Sequence, residues 1–461
     1  MFRYLIKNAL VVSEMDEAVC DLLVEDETIA ALGTDIQAPA DCEVINATGK
    51  ILVPGGVDVH THLNLDVGIA VASDDFYTGT AAAAFGGTTT IVDHPGFGPA
   101  GCSLGHQIEY YHTLARNKAL IDYGFHGVIQ HVNDEVLDDM ATLAAAGVSS
   151  FKIYLTYDYR IDDGDALRVL ERAAEQDLLI AVHPENHGMI QTLRARFAAQ
   201  KKHTPHYHPL SRPVECEAEA INRIILCART AGEAPVYIVH LSNGLGLEYI
   251  RAARQRGQKR IYAETCPQYL LLDERLYDRD GNEGLKYIMC PPLRTSADNA
   301  ALWQGLCEDV DTVATDHCPF FFATQKMMGA DDFMRCPSGA PGIEERMPLL
   351  FSEGVMKNRI TLRRFVELCC TNPAKLAGIY PQKGVLRVGS DADLAIIDPA
   401  PQSVLRQCAL HSHVDYTAYE GFMLQGRIEY VFSRGEIIIQ NNTLHACPGR
   451  GRFLVRGRCT L

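Results

Sequence analysis

The sequence predicts an α/β protein, a (β/α)8 barrel with a small β-sandwich domain assembled from both chain ends. Three observations lead there. Eight short apolar runs of strand type recur from about residue 55, separated by helical or loop stretches. Polar residues able to bind metal end several of those runs, and both flanks read as short strands joined by turns rather than as βα units.

The runs are GGVDVHTH (55–62), TTTIVDH (88–94), DYGFHGVI (122–129), SSFKIYL (149–155), DLLIAVH (177–183), APVYIVH (234–240), RIYAET (260–265) and DTVATD (311–316). Between them lie stretches with helical period, such as GDALRVLERAAEQ after the fourth and LEYIRAARQRG after the sixth. Repeated βα units of this length close into a TIM barrel, whose reactive groups sit at the C-terminal ends of the strands. The flanks RYLIKNALVV, CDLLVEDETIAAL and CEVINATGKILV on one side, and VLRVGSDADLAIIDP and RIEYVFSRGEIIIQNN on the other, read as β structure. A barrel inserted into a sandwich brings the two flanks together. The expected boundaries are 1–54 and 376–445 for the sandwich, 55–375 for the barrel and 446–461 for a tail.

Composition narrows the function. The 461 residues are 47% hydrophobic and 22% charged, enough for a large core, and the formal net charge of −16 opposes nucleic acid or an anionic membrane as main partner. The basic run GRGRFLVRGR at 449–458 reads as a solvated or subunit-packing extension. No apolar stretch reaches membrane-spanning length, and MFRYLIKNALVV is strand-like rather than a secretory signal, so a cytoplasmic protein is expected. Fifteen cysteines without a CxxC fit free thiols, with Cys369 and Cys370 in the core.

The run ends carry the chemistry: His60 and His62, Lys152, His183, His240 and Asp316. One such histidine is usually a core residue; six suitable side chains converging on one mouth point to metal. His60 and His62 lie two apart on a strand, so their rings share a face about 7 Å apart along the chain. His206 with His208 and His411 with His413 repeat the spacing without a barrel run, and read as surface loops. Lys152 is the odd member. An ammonium would repel a divalent ion, whereas a carbamate formed with carbon dioxide carries one negative charge and two oxygens. Two Zn²⁺, a carbamate, a carboxylate and a hydroxide then sum to about +1, an electrophilic centre. The plain alternative is a lysine snorkelling from a sheet edge.

GGVDVHTH, GGTTTIVDH, SSFKIYLTY, VHPEN, YIVHLSN, ETCPQYLLLD, PPLR and VATDHCPF together resemble the cyclic amidohydrolases: hydantoinases, dihydropyrimidinases, allantoinases and dihydroorotases. The resemblance implies that His60, His62, Lys152 and Asp316 hold one metal and Lys152, His183 and His240 the other, with Lys152 N-carboxylated and a hydroxide bridging two zinc ions. It further implies that Asp316 moves the proton, that Tyr157 donates to the developing oxyanion, and that main-chain groups at Cys290 and Ser338 hold the ring amide. A serine is usual where Cys290 stands, and an asparagine is common at Ser338. The first loop, LNLDVGIAVASDDFYTGT, with QHVN, HYHPLSRP, VECEAEAI and GRGRFL, is similar to the bacterial phenylhydantoinase subgroup. On that likeness Leu65, Val67, Tyr154 and Ile161 form an apolar gate for an aryl substituent, although the same four would also suit a packed core. The implied substrate is a 5-monosubstituted hydantoin, with dihydropyrimidinase activity as the alternative and a homotetramer as the expected assembly.

Three rivals are weaker. Gly96-x-Gly98-x-x-Gly101 matches a dinucleotide fingerprint, but Pro99 stiffens the turn and no acid-ended strand follows about 20 residues later. A single-metal deaminase on this barrel needs no lysine on the fourth strand. A catalytically dead relative kept as a scaffold would lack ligands that are all present here.

Overall fold

A computed structural model describes residues 3–461. The barrel strands are Gly56–Thr61, Thr88–Asp93, a third in two pieces (Asp122–Phe125 and Gly127–Val128), Ser150–Tyr154, Leu179–His183, Val236–Ile238, Ile261–Thr265 and Thr312–Val313. Each falls inside one of the eight apolar runs. Neighbours pair in parallel: Lys152 lies opposite Ala181 and Tyr154 opposite His183, and Glu264 lies opposite Thr312. The ring is closed by the ligand-bearing segments, because Asp316 N–H donates to the His60 carbonyl at 2.9 Å and His62 N–H to the His317 carbonyl at 2.9 Å. Two sequence-distant ligand segments are thereby locked in register by main-chain bonds.

Side chains fill the barrel in layers. Ala181 precedes His183 by two residues and so lies one layer below it on the same face. Its register partner Tyr237 and Tyr262 beyond join it in a buried cluster with Val57, Val92 and Leu454. The ligand-bearing polar layer sits above that apolar floor. Outside, the helices bury one stripe each. Asp163–Gln176 buries Ala166, Val169, Leu170 and Ala173, and its first turn is capped by Asp162, which accepts from Asp165 N–H at 2.9 Å.

The two flanks form one mixed nine-stranded sheet, in which Ile51–Pro54 from the N-terminal side pairs antiparallel with Leu394–Val404 from the C-terminal side. Its far strand, Thr28–Gly33, bonds back to the 389–392 segment, so the sandwich is a single sheet curled onto itself. Ile6, Leu22, Val24, Leu52, Leu394, Ile396 and Phe432 share the enclosed core. The ends meet because neither half has enough strands to cover its own apolar face.

Part of the tail docks on the barrel: Leu454 N–H donates to the Tyr123 carbonyl at 2.8 Å and Phe453 packs edge-on to His112 at 4.4 Å, while Val455 and Arg458 stay exposed. Arg456 is buried without a carboxylate: its guanidinium donates to the carbonyls of Ala377 (3.3 Å) and Phe125 (2.5 Å) and to Ser150 Oγ (2.9 Å). Burial alone pulls its pKa down to about 9. Charge pattern could not reveal carbonyls waiting at the barrel wall. Replacing Arg456 by alanine leaves those acceptors dry, and the urea midpoint should fall by the equivalent of about 1–3 kcal/mol; Arg458→Ala, on an exposed side chain, should shift it by less than about 0.5 kcal/mol.

Candidate metal centre and substrate cavity

The first three ligands meet at the barrel closure. His60, His62 and Asp316 bring one ligand atom each within 4.8 Å of one another, with Asp316 Oδ1 at 3.2 Å from His60 Nε2 and 3.1 Å from His62 Nε2. His60 presents Nε2 because its other nitrogen, Nδ1, is bound to Glu264 Oε1 at 2.6 Å. That Nε2 is buried and has no hydrogen-bond partner. A buried imidazole nitrogen without a hydrogen-bond partner, beside a carboxylate and a second imidazole, fits a divalent cation that takes the place of its proton.

Lys152 and His183 stand on the fourth and fifth barrel strands, and His240 two residues past the sixth. His183 gives Nε2 to Glu185 Oε2 at 2.8 Å, leaving Nδ1 for the cavity, where it lies 2.8 Å from His240 Nε2. The His240 N–H donates to Glu264 Oε1 at 2.8 Å. Both His240 (φ 41°) and Asp316 (φ 53°) have left-handed backbones. Such geometry costs free energy in non-glycine residues and persists only where neighbours impose it; here the main-chain bonds to Glu264 and His60 do so.

Electrostatics sort the ligands. Burial works against charge on His60, but the carboxylates of Glu264 and Asp316 outweigh it and take its pKa up to about 9. Burial would raise the Asp316 carboxyl, yet the His60 and His62 rings hold it well below the usual range. Burial keeps His183 and His240 below the ordinary imidazole range, hence neutral, the form that binds metal. It also lowers Lys152 to about 8. A neutral amine is the form that can take up carbon dioxide.

The mouth opens into a cavity of about 650 Å³ bounded by the six candidate ligands and by Leu65, Val67, Tyr154, Tyr157, Cys290 and Ser338. Ile161 is absent from that wall; it packs at 5% exposure in the core, because the turn after Tyr154 folds its side chain inward. Its place is taken by residues the sequence reading missed: Ile69, and Phe97 stacked on Tyr159 at 4.4 Å. The Tyr157 ring lies 5.0 Å from His183, with the Arg212 guanidinium 5.5 Å above it. Among the described residues, the main-chain N–H and C=O groups of Cys290 and Ser338 take no protein partner.

The look-alike histidines behave unequally. His206 is exposed, but His208 is buried on the short helix Tyr207–Ser211 and bonds the Met289 carbonyl at 2.8 Å, so it is no surface-loop residue. His411 is half-buried, stacked on Phe85 and bonded to Glu344 at 2.9 Å. Glu264 and Glu185, which orient the ligands, escaped the sequence reading; an acid inside the apolar run RIYAET was the available signal.

Residues 51–438 match the description of the amidohydrolase family. The chain belongs to that family. It is 53% identical over 455 residues to the D-phenylhydantoinase of Escherichia coli O1:K1 / APEC, covering 98% of each chain. The solved dihydropyrimidinase of Brevibacillus agri NCHU1002 superposes with a TM-score of 0.97 at 41% identity, covering 100% of both chains. D-hydantoinase of Bacillus sp. AR9 gives 0.96 at 39%, covering 99% of each. This amidohydrolase is thus a metal-dependent hydrolase with the barrel and β-domain architecture of those enzymes. Among its described residues, no helix is long and apolar enough to cross a membrane.

Glu264→Gln should weaken metal binding by about 10–100-fold, as carboxylates that orient ligating histidines do elsewhere. Chelator competition on the reconstituted protein measures it, and an unchanged affinity would show that His60 needs no such partner.

Proposed function

We propose that this amidohydrolase opens the ring amide of 5-monosubstituted hydantoins, aryl-substituted ones of the D series foremost, to give N-carbamoyl amino acids. The observation that carries the reading is the placement of unpartnered amide groups at Cys290 and Ser338 on the same cavity wall as the ligand cluster. A cyclic amide or ureide edge offers the complementary donors and acceptors. The likeness to enzymes named D-phenylhydantoinase and D-hydantoinase supports the same substrate class.

His60, His62 and Asp316 would hold one ion, His183 and His240 the other, and an N-carboxylated Lys152 both. The mixed nitrogen and oxygen donors suit zinc, which supplies a water acidic enough to attack near neutral pH and a pull on the carbonyl. This chain's own groups do the rest. Asp316 uses Oδ1 toward the histidines, so Oδ2 is free to take the proton of the attacking water and return it to the leaving ring nitrogen. Tyr157 stays protonated, burial holding its phenol well above the usual range, and can donate to oxygen as charge develops there. Cys290 and Ser338 orient the ring through the main chain, so the side-chain departures at both positions matter little. Leu65, Val67, Tyr154 and the added Phe97, Tyr159 and Ile69 offer an apolar, aromatic surface to an exocyclic aryl group.

A dihydropyrimidinase is the second reading, favoured by the Brevibacillus structure. The assembly is read as a homotetramer acting on a small molecule in the cytoplasm, without nucleic acid or membrane. Fifteen free thiols suit a reducing compartment, and light scattering would settle the subunit number.

The zinc-loaded protein, with bicarbonate, should hydrolyse D-5-phenylhydantoin with higher kcat/KM than the L form, dihydrouracil, allantoin or dihydroorotate; preference for dihydrouracil would install the second reading. Tyr157→Phe should lower kcat by about 10²–10³, and an effect under threefold would remove the tyrosine from the oxyanion role. Lys152→Met should bind one metal per chain in place of two by elemental analysis, and wild-type reconstitution without carbon dioxide should lag until bicarbonate is added. Full metal content in the variant would contradict the shared ligand.

A further inference from the structure

Lys326 is the most deeply buried lysine outside the ligand set, with no exposed surface. An ammonium has three protons to donate, and here all three go to main-chain carbonyls: Ile288 at 2.7 Å, Pro337 at 2.8 Å and Gly339 at 2.6 Å. No proton is left for a carboxylate. Burying a cation on neutral acceptors alone is costly, and the position of the acceptors indicates what the fold gains. Ile288 lies two residues before Cys290, and Pro337 and Gly339 flank Ser338. The two loops that line the cavity through Cys290 and Ser338 are thus tied to one nitrogen.

The tie also sets direction. A peptide unit is planar with C=O and N–H on opposite sides, so turning the Pro337 carbonyl onto Lys326 turns the Ser338 N–H away from it. The loops are further joined to each other by Gly339 N–H to Ile288 carbonyl at 3.0 Å and by Cys290 Sγ to Ser338 Oγ at 3.4 Å. On its other side the 337–340 loop is fixed to the metal-bearing segment, since Cys318 N–H donates to the Ala340 carbonyl at 3.0 Å. A Cβ on Gly339 (φ 149°) would stand 2.3 Å from the Cys318 carbonyl oxygen, so there is no slack in that contact. The chain of contacts runs from Asp316 through Cys318 and Ala340 to Ser338, and across Lys326 to Cys290.

We propose that Lys326 is a positioning residue for substrate, the post that fixes the spacing and orientation of the two main-chain amide loops relative to the metal centre. The proposal deepens the hydantoinase reading above and rests on it for the choice of substrate. Lys326→Met keeps length and apolar stem but removes every donor; Lys326→Gln keeps donors for part of the set.

The test uses the zinc-loaded full chain with D-5-phenylhydantoin. For Lys326→Met, KM should rise at least about tenfold while kcat stays within about threefold and metal content is unchanged; Lys326→Gln should fall between it and wild type. Amide hydrogen exchange at 288–290 and 338–340 should speed up in the variants and leave the ligand strands protected. Wild-type KM in a folded variant, a loss confined to kcat, or a change only in thermal stability would overturn the proposal. If neither variant gives folded, metal-loaded protein, the lysine is a fold determinant and the proposal fails. Failure of the hydantoinase reading looks different: the wild type itself would turn over none of the cyclic amides, and the exchange measurement alone would decide whether Lys326 orders the loops.

Discussion

The carboxylate of Glu264 accepts from His60 Nδ1 at 2.6 Å, from the His240 main-chain N–H at 2.8 Å and from the Tyr237 hydroxyl at 2.5 Å. One fully buried anion on the seventh strand therefore fixes a ring orientation in one half of the metal centre and a strained backbone in the other, and ties both to the apolar floor through Tyr237. A carboxylate in that position is tolerated only while its lone pairs are filled. The two ligand groups cannot drift apart without leaving that anion unpaired, so the spacing of the centre is set before any ion binds.

A comparable arrangement holds His183. Glu185 takes its Nε2 and is in turn paired with Arg212 at 2.5 Å; burial would raise the Glu185 carboxyl, but the Arg212 guanidinium and the His183 hydrogen bond outweigh it and hold the carboxyl well below the usual range. The Arg212 guanidinium also covers the Tyr157 ring. Tautomer, ring direction and the phenol's place over the cavity thus share one network, whose members come from the connections after the fourth and fifth barrel strands. The site is rigid where the ligands sit, and its substrate-facing wall is apolar and aromatic.

Much of this could be read from the residues. The eight runs were legible because a barrel repeats one rule, apolar strand then polar end, and the cluster of His60, His62 and Asp316 because suitable side chains at so many run ends are hard to obtain by chance. What stayed hidden was whatever depended on long-range pairing. Glu264 and Lys326 each look like a charged residue that ought to face water, and only the folded chain supplies the donors or carbonyls that allow burial. Ile161 shared the apolar character of the gate but not its side of the turn. His208 resembled a loop histidine because nothing local announces the Met289 carbonyl 81 residues on, and Arg456 resembled tail charge for the same reason.

The curled sheet has a consequence for how the chain is made. Strand Ile51–Pro54 finds its antiparallel partner only at Leu394–Val404, and the third barrel strand is sealed by the tail through Leu454 and Arg456. During synthesis the first strands emerge with unpaired edges and must wait for the whole barrel sequence to follow. The barrel in turn waits for the segment after the sheet. Pairings of such sequence separation form slowly, and until the last segment arrives the early strands keep edges on which another chain could pair.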